Sequence, residues 1–225
     1  FDRLAQATES ARTGLMAADS VNDLKARLEG LSERLRDLIR LKGALVENLM
    51  KRYRKSAGDS RKLIPGIFPE PWSRFAGSSP ENLAGHSDAL FCKLYTMHWP
   101  MIADHYRSRL LEANPGWDAE QVTRVLVEWL EIDEWRESAD DRYSYPDPET
   151  PHPVSAGLQA KKIAAAQTSA GEVPVIPIVH SYGPLPDFSH RLQTAWNASQ
   201  HGAWINRYGY VSNEKLTAIG EVCRG

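Results

Sequence analysis

Apolar positions in the first quarter of the chain recur in steps of four and three. Leu24, Leu28, Leu31, Leu35, Leu38, Leu45 and Leu49 follow that rhythm with one beat missing at Lys42, which draws a narrow apolar seam along one side of a helix. Ser20 with Asp23 three residues on approximates a capping box and opens this helix, and an earlier helix covers residues 1–18. A seam of barely four heptads, interrupted by Gly30 and Gly43, favours a helix packed on the body of the protein over a dimerisation helix.

From residue 61 the period changes. Residues 63–69 form a short apolar run ended by prolines, and Glu70-Pro-Trp-Ser-Arg74 follows as a loop entering a weak helix. Residues 88–95 read as a strand, followed by helices over 101–111 and 118–137, the second capped by Asp118. The stretch 138–155 is acidic and rich in proline and aromatic residues, the composition of a surface linker or of a flap carrying Tyr143 and Tyr145 to a ligand. A helix over 156–170, a strand over 173–179, the turn His180-Ser-Tyr-Gly-Pro184, a helix over 188–200 and a strand over 202–208 come next. Asn213 then caps a last helix running to Val222.

Strand and helix thus alternate four times, and the strands stay apolar on both sides, as strands of a buried parallel sheet do. No glycine-rich phosphate turn follows any strand, and polar residues follow each of them, which favours a (β/α)8 TIM-type barrel over a doubly wound sheet. Four strands do not close a barrel. The expectation is an N-terminal helical segment over 1–60 and the C-terminal half of an α/β barrel over 61–225, holding strands five to eight, with an open sheet as the alternative. Phe1 in place of an initiator Met favours the half-barrel, and with it a missing N-terminal half.

The formal charge of the 225-residue chain is −2 and its Lys and Arg residues are scattered, so neither nucleic acid nor an acidic membrane surface is an expected partner. No stretch approaches the roughly 18 apolar residues of a membrane span. Two cysteines, Cys92 and Cys223, build no disulfide framework and favour a reducing, cytoplasmic compartment.

In a parallel barrel every strand aims its C-terminal end at one rim, so residues far apart in sequence can be collected into one site. The first strand brings Glu70 and Trp72, the second Tyr95, His98 and Trp99. The third brings His180 and Tyr182, and the fourth Trp204, Asn206, Arg207 and Tyr208. Aromatic faces beside polar groups suit a sugar, which presents an apolar C–H face and a ring of hydroxyls. Glycosidic bonds are cut by two carboxyl groups. Glu70 is the acid at a strand exit, so Glu70 and His180 are the catalytic candidates, and the remaining residues are substrate-binding ones. Arg207, in a strand of a buried sheet, calls for an anionic partner or an ion pair with Glu70. His98 and His105 lie two turns apart on one helix, too far to share a metal, so neither metal nor cofactor is expected.

The strings Val175-Ile-Pro-Ile-Val-His-Ser-Tyr-Gly183 and Gly202-Ala-Trp-Ile-Asn-Arg-Tyr-Gly-Tyr-Val-Ser-Asn-Glu-Lys-Leu216, with a helix between them, resemble the end of the bacterial glycoside-hydrolase-like barrels. The resemblance covers residues 61–225 and implies that 63–70 and 88–98 hold the fifth and sixth strands. It implies a hydrolase acting on a carbohydrate, although His180 stands where the largest clan of such barrels ends its seventh strand in a glutamate. The alternatives from other classes are a non-catalytic carbohydrate-binding barrel and a helical assembly protein that forms a homodimer through the leucine seam.

Overall fold

A computed structural model describes residues 2–30, 33–132 and 145–224. Three helices open the chain, α1 (Asp2–Met16), α2 (Val21–Glu29) and α3 (Glu33–Ala57). Ser20 accepts the Asp23 N–H and starts α2 as its sequence predicts, but Gly30 ends that helix, so the leucine seam is divided between two helices. The phase is therefore lost at the break. Leu24, Leu28 and Leu35 are buried, whereas Leu45 and Leu49 are 47% and 45% exposed, and Leu31 lies outside the described residues. The segment packs on the rest of the chain: α2 lies against α7 (Ala119–Trp129), and α3 lies against α4 (Trp72–Ala76) and α5 (Pro80–Ala84).

The sheet has four parallel strands in sequential order, β1 (Gly66–Ile67), β2 (Leu90–Leu94), β3 (Val175–His180) and β4 (Trp204–Asn206). β1 is shorter than the apolar run around it, since Pro65 and Pro69 have no N–H to donate. Helix α6 (His98–Ala113) and α7 follow β2, with Asp118 accepting the Gln121 N–H at 2.7 Å. The helix expected over 118–137 ends at Trp129, with Leu130 as its C-cap, and residues 133–137 and Tyr143 fall outside the described residues. Helix α8 (Ala156–Ala170) begins at Ser155, whose hydroxyl takes the Leu158 N–H. Helix α9 (Leu185–Ala198) follows β3, and α10 (Asn213–Arg224) ends the chain. Ser212 rather than Asn213 caps α10, accepting the Lys215 N–H at 3.3 Å. No described helix is long and apolar enough to cross a membrane.

Side chains alternate across a strand, so the sheet has two faces. Ile67, Leu90, Cys92, Leu94, Val175 and Val179 point into a core shared with residues of the surrounding helices. On the other face Phe91, Lys93, Ile176 and Ile178 are only half-buried, and Phe68 and Trp204 are 42% and 40% exposed. The register stacks this face in rows, with Phe91 level with Gly66 and Ile176, Lys93 with Ile178, and Ile178 with Trp204. The Phe91 ring spreads over β1 at Gly66, where a Cβ would lie 2.5 Å from the ring and push it aside. A second core joins Val21, Leu24 and Leu28 to Leu110, Val122 and Leu126.

Candidate functional site at the C-terminal ends of the strands

The top row of the open face gathers residues from three strands. Tyr95 leaves β2, His180 ends β3 level with Asn206 at the end of β4, and His98 begins α6. The Tyr95 ring lies 5.3 Å from the His180 ring and 5.8 Å from that of His98, both edge to face. Asn206 Nδ2 donates to the Tyr95 hydroxyl at 2.7 Å, reaching across β3. Above this row Tyr182 stands within 5.5 Å of Tyr145 on one side and Tyr210 on the other, and its hydroxyl donates to Pro146 O at 2.8 Å. Sequence spacing thus located Tyr95, His98, His180, Tyr182 and Asn206 in one place. Tyr145 joins them from the predicted flap.

The histidines are held neutral. His180 Nδ1 accepts the Tyr182 N–H at 3.1 Å, which assigns its proton to Nε2 and makes that atom a donor toward the site. Its burial, and then the positive charges of neighbouring groups, push its pKa down to about 4. His152 is more deeply affected, down to about 3, again first through burial. Its Nδ1 lies 2.7 Å from the Thr96 hydroxyl, and its buried Nε2 has no hydrogen-bond partner. Burial also lowers His98. At neutral pH the rim therefore offers uncharged donors and acceptors between aromatic faces.

Buried cations fix the loops beneath. Arg191 of α9 donates to His180 O at 2.8 Å and Tyr182 O at 2.6 Å, and pairs with Asp187 at 2.8 Å. Asp187 in turn accepts the His152 N–H. Lys215 of α10 donates to Ser181 O, Gly183 O and Tyr210 O at 2.7–3.2 Å. Ser181 donates to Arg207 O and accepts its N–H, which joins the β3 and β4 exits. Gly183 (φ 96°) must be glycine, because a Cβ would come within 3.1 Å of both Asp187 Oδ2 and His152 Nε2. A charged side chain saturated by carbonyls holds several loop segments in one geometry.

Other predicted site residues lie elsewhere. Glu70 is on the helix side of the sheet: its carbonyl takes a 2.6 Å bond from Lys162, and its side chain is buried. Arg74 Nε lies 3.1 Å from one carboxyl oxygen but off the hydrogen-bonding direction, so neither oxygen is satisfied, and burial raises the pKa. Trp72 and Trp99 pack against each other at 5.4 Å in the core and offer no stacking surface to a ligand. The prolines flanking Glu70 turn the chain away from the rim after Phe68; a strand pattern alone extends it straight on. Arg207 is exposed and makes no ion pair with Glu70, and its strand has a solvent-facing side, so the burial that called for an anionic partner does not apply. Tyr208 is 84% exposed at the edge of the cluster, and Trp204 sits one row below Asn206, 5.7 Å from Phe91. Tyr210, His152, Thr96 and Arg191 are the residues that spacing did not single out. Tyr210 carried a legible signal, two residues past Tyr208 in an aromatic strand exit.

The chain matches no protein-family model, no curated protein and no solved structure.

Proposed function

We propose that the rim formed by Tyr95, His180, Asn206 and Tyr182 binds a carbohydrate, on a sheet that is four strands of a (β/α)8 barrel. Support for the barrel reading comes from sequential parallel order and core packing on one face. Two contacts on the open face that span β3, Tyr95 with Asn206 and Phe91 with Trp204, are what a sheet curled toward that face produces. The observation that carries the binding reading is the top row itself. His180, the Tyr95 hydroxyl and the Asn206 amide lie side by side in it, next to the rings of Tyr182, Tyr145 and Tyr210. A sugar ring satisfies both demands at once, laying its C–H face on an aromatic ring and its hydroxyls on neutral partners.

Hydrolysis of a glycosidic bond needs an acid pair across the bond. Glu70 does not face the rim, and Asp187 is committed to Arg191. A hydrolase built on this rim would draw its acid pair from the strands that complete the barrel.

Saturation-transfer NMR of the full chain with neutral oligosaccharides of several linkages tests the binding. At least one of them is expected to receive saturation, and Asn206→Ala and Tyr182→Ala should each weaken it about tenfold, the equivalent of one lost hydrogen bond or stacking contact. Absence of transfer to any sugar, or unchanged binding in both variants, would end this reading.

A further inference from the structure

An all-parallel sheet is as a rule covered on both faces, and among the described residues nothing covers the rows below the candidate site. Phe68, Phe91, Ile176, Ile178 and Trp204 form an apolar patch, with the Phe68 and Trp204 side chains two-fifths exposed. Among the described residues β1 and β4 each pair on one side only. Lys93 stands in the middle, its ammonium 5.0 Å from the Phe68 ring and 5.9 Å from the Phe91 ring. It makes no ion pair among the described residues, and neither the patch nor the row of Tyr95, His180 and Asn206 above it contains a carboxylate.

We propose that this face docks a second four-stranded parallel β/α unit, different in sequence from this one, which closes an eight-stranded barrel and sets a carboxylate opposite Lys93. The proposal rests on the barrel reading above. Eight strands give an interior that side chains just fill, so four more are the number that covers the patch and pairs both edges. The charge decides which unit it is. In a closed barrel each interior layer takes its side chains from alternate strands. A second copy of this chain would put its own β2 directly across the axis in the same layer, Lys93 against Lys93, with no acid on either face to separate them. Two like charges enclosed by aromatic rings repel in a low dielectric. A unit bearing Asp or Glu at that position converts the repulsion into a buried pair and leaves the apolar patch covered.

The charge argument can be tested with the chain itself, since Lys93→Glu supplies the missing acid. Sedimentation velocity at low salt should show that the parent and the Lys93→Glu chain each self-associate weakly. Their 1:1 mixture should associate at least about tenfold more tightly, and the difference should shrink as salt is raised. Lys93→Gln, which removes the charge without reversing it, should self-associate to an intermediate degree and guards against a folding defect in the Glu variant. A parent chain that dimerises as tightly as the mixture would show that a second copy covers the face and overturn the proposal, as would a mixture no tighter than its components. Failure of sugar binding at the rim leaves these measurements untouched, so the two readings fall separately.

Discussion

The two faces of this one sheet follow the same alternation and meet different fates. On the helix side, Leu90, Cys92 and Leu94 are fully enclosed, and a buried cation, Lys162, holds the Glu70 carbonyl while the Glu70 carboxyl oxygens lack a hydrogen bond. On the open side the same strands present half-buried residues below and a row of neutral polar groups above. Packing against helices specifies the first face. Nothing described covers the second, so its residues are free to be chosen for binding. The candidate site lies on the face that the described helices leave uncovered.

That contrast can be broken most directly at the cation that supports the rim from the helix side. Replacement of Arg191 by Met removes a buried guanidinium and strands His180 O, Tyr182 O and the Asp187 carboxylate. Urea unfolding should report a loss of about 3–5 kcal/mol, far above what any single change on the open face produces. A loss below about 1 kcal/mol would mean that the rim loops hold themselves.

A paired comparison sharpens the same point. Leu94→Ala, on the enclosed face, should cost about 2–4 kcal/mol, whereas Ile178→Ala, one residue type and one strand away on the open face, should cost less than about 1.5 kcal/mol. Equal losses in urea unfolding would show that the open face is packed as tightly as the other.

The pH dependence of the rim tests the same contrast without a substitution in the core. His152 and His180 titrate near 3 and 4 in the folded chain against an ordinary value near 6.5 in the unfolded one. Between those limits the unfolded chain binds the extra protons, so stability rises with pH. Their contribution is present in full above pH 6.5 and is lost as pH falls through 4 and then 3. Lowering the pH from 7 to 5 should therefore cost on the order of 2 kcal/mol from each of the two. His152→Gln should flatten that slope by about half in urea unfolding followed at both pH values. An unchanged slope would place the pH dependence in other groups.

Much of this was legible in the chain. Helix α8 begins and ends where its pattern put it, and Asp118 and Ser20 cap as their positions imply. Tyr95, His180 and Asn206 could be collected because a parallel strand order brings every C-terminal end to one rim, whatever the register. The failures share a cause. Glu70, Trp72 and Trp99 were assigned to the rim from their position after a strand, yet which side of a sheet a residue faces just past a strand end depends on how the chain turns there. Lys162, Arg191 and Lys215 were not singled out, since nothing local distinguishes a lysine in water from one that binds buried carbonyls.

Local pattern determined the order of the strands, the Ser20 and Asp118 caps and the set of polar residues that leave the strands, because those depend on neighbours within a few residues. Tertiary structure decided which face each of them joins. That choice follows from burial against helices distant in sequence, with Lys162 on Glu70 O, 92 residues apart, as the plainest case. Among the described residues it left one face of the sheet uncovered around Lys93, and no period in the sequence announces that.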